Sequence, residues 1–301
     1  MTISSSQFTN SKFHTLNTIP KPLDILFHKI KLEHYAELYE SEADGNASLR
    51  DDLNQVLEVM SEGNHQLNHL RYLWMTLILT LAVEPTLEYY KPSHSLPKKI
   101  IKLIILLLRN IANNSIKSAY ISHVFIDKLT KELFKNQESY FHVEGADFQE
   151  ISEALDVFYN ALKVINYDQS IEALLEILDD CLEGYAIFPG SSGRRELFDW
   201  WLLEVVPASW YLLPPKTFYV VEGLENQVEI KLRQTRLLEK VSAEIWYTVL
   251  REIIDKPIQK SNSLSNPCIP IYPWHNDRYT KINISVGINS IPDNTPVVCF
   301  A

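Results

Sequence analysis

Glycine is scarce in this chain: there are 8 in 301 residues. A sandwich or barrel built on many tight turns needs more, which excludes an all-β fold for most of the length. Cysteine is scarcer still. Cys181, Cys268 and Cys299 lie far apart, and no CxxC pair exists. That excludes a zinc ribbon, a dithiol redox pair and a disulfide scaffold, and it points to a reducing, cytoplasmic setting. Basic residues are outnumbered, 28 Lys and Arg against 38 Asp and Glu, for a formal net charge of -10. Non-specific nucleic-acid binding requires the opposite balance. Long apolar runs are also missing. The longest without a charge, Leu73 to Val83, is well short of the ~20 residues of a membrane helix, so no membrane partner is expected. The opening MTISSSQFTNSKFHTLNT has no apolar centre and does not read as a secretory signal. Dinucleotide-binding glycine sets, Walker loops and GxSxG elbows are absent from the sequence.

What the sequence does contain is helical periodicity. Leu49, Leu53, Val56, Leu57 and Met60 recur on one helical face. Residues 69–90 are apolar enough for a core helix. Further helices are expected over 100–112, 115–134, 147–164, 169–185, 196–206 and 227–254. TFYVVEG at 217–223 alternates weakly and suggests a short strand. Beyond Pro257 the character changes: Ile282, Ile284, Val286 and Ile288 alternate as a strand does. The organisation read from these patterns is a flexible arm over 1–22, an all-α domain over 23–256, and an irregular tail over 257–301. Its short β segment is expected to dock on the helical body. The aromatic stretch 198–211, with Trp200, Trp201, Trp210 and Tyr211, either walls a ligand cavity or fills the core.

Acids and histidines mark the candidate chemistry. ELYESEADGNASLRDDLNQVL at 37–57 places Glu42 before a break and an amphipathic helix. YFHVEGADFQEISEAL at 140–155 presents His142, Glu144, Asp147 and Glu150. Asp147 and Glu150 are three apart and share a helix face. Carboxylates and imidazoles converging from several helices are how bundles hold pairs of iron or manganese ions. The plainer alternative makes these acids solvated caps and surface residues.

These two strings resemble segments of the haem-oxygenase-like diiron oxidases, relatives by fold of thiaminase II, and the likeness runs from about Leu23 to Tyr185. The resemblance implies a haem-oxygenase-like helical bundle, iron as cofactor, and a metal set of Glu42, His142, Asp147 and Glu150. In that set Glu150 stands where the family has a histidine. Other positions depart too. Asp51 or Asp52 lies where a histidine should follow Glu42, and His142 precedes Asp147 by five residues instead of four. The middle glutamate would fall among the amides of 110–114. A second ligand register is Glu84, His123 and Asp127, with Glu84 read as closing an apolar helix before Pro85. The implied function is a metal-dependent oxidase or oxygenase acting on a small amphipathic substrate. The alternative is a non-catalytic helical binding or interaction protein, of immunity or adaptor type, that kept the fold without the metal.

AspAspCysLeuGlu at 179–183 resembles the magnesium motif of class I terpene cyclases, but no partner motif follows it. His275-x-Asp277 resembles the iron-binding segment of 2-oxoglutarate-dependent oxygenases, yet no second histidine lies downstream. Both read better as structural residues.

Overall fold

The computed structural model describes residues 19–34, 48–61, 64–92, 94–113, 123–134, 147–182, 193–221, 223–255, 268–270 and 297–299; the side chains of 123–125, 133–134, 147–149, 193–194, 249–255, 268–270 and 297–299 fall outside that description. Contacts divide the chain into two units, one of Ile19–Asp255 and one joining 1–18 with 256–301.

The larger unit is all-α among its described residues. Helix α1 (Lys21–Glu33) starts with Pro22 in its first turn and buries Leu23, Phe27 and Ile30 on one stripe. Helix α2 (Leu49–Met60) is capped by Ser48, whose hydroxyl accepts from the Asp51 amide at 3.3 Å. Asp51 and Asp52 occupy its first turn, where the helix dipole favours negative charge. Helix α3 (His65–Tyr90) is the centre of the bundle. It packs against α4 (Leu96–Ala112), α6 (Asp147–Lys163), α7 (Ser170–Leu182), α9 (Val206–Tyr211) and α10 (Gln227–Asp255). Every residue from Leu70 to Leu87 is buried. Two of its buried threonines bond back along the helix. Thr76 donates to the Tyr72 carbonyl (2.8 Å) and Thr80 to the Thr76 carbonyl (2.9 Å). Among the described residues no helix is long and apolar enough to cross a membrane.

Helix α5 (His123–Phe134) and the antiparallel-reading pair α6 and α7, joined by a short 3₁₀ turn at Tyr167–Gln169, complete the middle of the unit. Then α8 (Gly193–Trp200) runs through a π turn at Trp201–Val205 into α9. Trp200 and Trp201 of this stretch are buried and Trp210 packs against the core, so the aromatic run fills the interior.

Two expectations are corrected here. The core helix expected over 69–90 is present as α3, which runs through Pro85 to Tyr90, so only the reading of Glu84 as closing a helix is overturned. The buried Glu84 is therefore inside the helix, not at a solvated end, and Arg233 and Gln234 of α10 answer its carboxylate. The described residues of 217–223 form no strand. Phe218, Val220 and Val221 are buried as irregular chain, and Trp200 Nε1 donates to the Thr217 carbonyl at 2.8 Å. In the smaller unit, Cys268–Pro270 pairs antiparallel with Val297–Cys299. The alternating segment at 282–288 lies outside the described residues.

Candidate metal centre

The cluster that gathers metal-type donors sits where α1 ends and α2 begins. Lys29 and Glu33 are one turn apart on α1, and the His34 amide closes that helix by donating to the Ile30 carbonyl at 3.1 Å. Asp52 is on the inner face of α2, one turn before Val56, so the packing of α1 on α2 brings it to His34. His34 Nε2 donates to Asp52 Oδ2 at 2.8 Å. Lys29 Nζ donates to Asp52 Oδ1 at 3.0 Å and lies 3.5 Å from Glu33 Oε2. One donor atom each from Glu33, His34 and Asp52 lie within 4.8 Å of one another.

Burial separates the members. The His34 side chain is 0% exposed and that of Asp52 4%, whereas Lys29 and Glu33 are 44% and 39% exposed. A buried carboxylate needs charge-stabilising partners, or it would be protonated. Burial pushes the Asp52 carboxyl up; the hydrogen bonds from His34 and Lys29 and their positive charge overcome that and hold it below the usual aspartate value. The Lys29 ammonium is held above its ordinary value, mainly by the hydrogen bond to Asp52.

One imidazole and two carboxylates make a nitrogen–oxygen donor set that suits Fe(II), Mn(II) or Zn(II). The three residues thus fit one divalent ion, and fit it with one qualification of chemistry: an ammonium already touches both carboxylates.

The residues expected from sequence stand as follows. Glu42 and His142 lie outside the described residues. Asp147 opens α6, with its side chain outside the description. Glu150 is only 2% exposed, and its Oε2 has no partner among the described residues. In the second register, Glu84 accepts from Arg233 Nη2 (3.0 Å) and Gln234 Nε2 (2.8 Å). Asp127 is exposed on α5, and the His123 side chain falls outside the description. His34 was not singled out by spacing. The readable signal was Asp52, a carboxylate on the face of α2 that carries Leu53 and Val56.

Two further titratable groups of the bundle have protein partners. Arg71 of α3 is buried against the Trp210 ring, 3.5 Å from its centroid. It donates to the carbonyls of Trp210 (3.2 Å) and Met60 (3.3 Å). Asp180 of α7 accepts from Asn160 Nδ2 at 3.3 Å; burial, then the nearby Glu153 and Asp156 carboxylates, push its pKa up to about 8. A cleft of about 310 Å³ between α3 and α10 is lined by Pro85, Tyr89, Ile230 and Arg233 among others, and includes no member of the Glu33–His34–Asp52 cluster. No protein-family model, curated protein or solved structure matches the chain.

Proposed function

We propose that the helical unit binds a divalent metal, iron first among the candidates, and serves as a metal-dependent oxidase or oxygenase of haem-oxygenase-like type acting on a small amphipathic substrate. The observation that carries the reading is the convergence of Glu33, His34 and Asp52 within 4.8 Å at the junction of two packed helices. The buried Glu150, with an unpartnered carboxylate oxygen among the described residues, adds a second acid inside the bundle, as the family likeness implies. Bound there, a metal would supply Lewis acidity and open coordination positions for oxygen and substrate. The protein's part is to hold Asp52 ionised, to orient His34 through its hydrogen bond, and to keep water from the imidazole by burying it. A reducing, cytoplasmic setting belongs to the same reading and is supported by the free, buried thiol of Cys181.

A second reading, a non-catalytic helical binding protein, is favoured by one observation. Three of the acids already have protein partners: Lys29 on Asp52 and Glu33, and Arg233 with Gln234 on Glu84. Metal analysis after anaerobic Fe(II) reconstitution separates the two readings. Retained iron of at least one equivalent, lost in Asp52→Asn and His34→Ala, supports the oxidase reading. No retained iron in the wild type supports the binder.

A further inference from the structure

We infer that Lys29 is an internal cation that occupies the metal position of the Glu33–His34–Asp52 cluster and must withdraw before a divalent ion can enter. The inference rests on the metal-binding reading and adds its control.

The geometry is that of a cation held by the donors of a cation site. Lys29 Nζ is 3.0 Å from Asp52 Oδ1 and 3.5 Å from Glu33 Oε2. These are the two carboxylates that, with His34, make up the donor set. An ammonium on both and a divalent ion on both are mutually exclusive, because the two cations would repel at contact distance. Withdrawal is sterically open. Lys29 is 44% exposed and rides on a flexible four-carbon stem from the surface of α1, whereas His34 and Asp52 are fixed by burial. The lysine can therefore leave for solvent without any backbone change, and the buried pair stays in place to receive the ion. Any change that removes the charge of Lys29, including acetylation of its amine, should favour metal loading.

The test uses the full chain, stripped of metal with a chelator and titrated with Mn(II) by calorimetry. Lys29→Met and Lys29→Gln are compared with Lys29→Arg, which keeps the charge. The expected result is Mn(II) binding at least about fivefold tighter in the Met and Gln variants, the lower end of ordinary coupling between ligands, and wild-type binding in Lys29→Arg. A wild type that binds Mn(II) while the Met and Gln variants bind no tighter overturns this inference and leaves the metal-binding reading standing. If neither wild type nor variants bind, both fall. Should the variants misfold, the wild type alone decides: amine-directed acylation read by mass spectrometry should label Lys29 faster when Mn(II) is saturating. Unchanged labelling at saturation overturns the inference.

Discussion

Replacing Arg71 with Met should destabilise the helical unit by about 2–4 kcal/mol, although no carboxylate pairs with this cation among the described residues. The reason lies in what the guanidinium touches. Met60 is the last residue of α2 and Trp210 the penultimate residue of α9, so both carbonyl acceptors belong to helix C-termini, where the partial charge is negative. The ring of Trp210 adds a cation–π contact at 3.5 Å. Hydrogen bonds from charged groups contribute about 1.5–3 kcal/mol each, and lengths of 3.2 and 3.3 Å put these two near the lower end. Desolvation works against the cation. Burial lowers its pKa to about 10, which still leaves it charged at neutral pH. An apolar replacement can be neutral when both members of a buried pair are removed. Here the acceptors are main-chain carbonyls, so Arg71→Met leaves them unsatisfied. Lys in the same place keeps charge but not the planar stack or the two-pronged reach, and should recover less than half of the loss. Urea unfolding of wild type, Arg71→Met and Arg71→Lys gives the comparison, provided the slopes agree. A Met variant within about 0.5 kcal/mol of wild type, the spread of ordinary surface substitutions, would refute the argument.

Other expectations concern the core and its acids. Leu77, fully buried in α3, should cost about 2–5 kcal/mol as Leu77→Ala in the same assay, because the surrounding helices cannot collapse onto the void. Asp180 is held protonated in the fold, so the unfolded chain releases its proton first; stability should fall as pH rises from about 4 toward about 8, and Asp180→Asn should flatten that slope in thermal melts. Asp52 behaves oppositely. Its pKa is lowered in the fold, so its contribution is present above about pH 4, the usual aspartate value, and is lost on further acidification. Asp52→Asn should remove that acid-side dependence and cost about 2–4 kcal/mol, since it weakens the hydrogen bond that holds buried His34.

Periodicity made much of the bundle readable, and it failed where structure depends on distant partners. The Leu73–Val83 run announced a core helix because a helix buried on all sides must be apolar on all sides. α6 and α7 emerged with ends close to those expected, since their apolar stripes and the Asn166 turn are local features. The helix over 69–90 was legible despite Pro85; the proline misled only the reading of Glu84 as a helix end, since the packing of α3 against its neighbours carries the helix through it. TFYVVEG alternates, yet its described residues are no strand, because alternation needs a neighbouring ladder and none is described beside them. The π turn at Trp201–Val205 has no sequence rule at all. The cluster was hidden for a related reason: His34 and Asp52 are 18 residues apart on different helices, and no spacing pattern reports a contact made by helix packing. Asp52 on the face of Leu53 and Val56 was the one local hint, because an acid among core positions demands a partner.

The central claim is that the junction of α1 and α2 accepts a divalent ion. Anomalous diffraction from crystals of the full chain soaked in Mn(II) tests it most directly. A single strong peak is expected within bonding distance of a His34 nitrogen and an Asp52 oxygen, with Lys29 turned out to solvent. A saturating soak that leaves no peak there, with Lys29 still on Asp52, would contradict it.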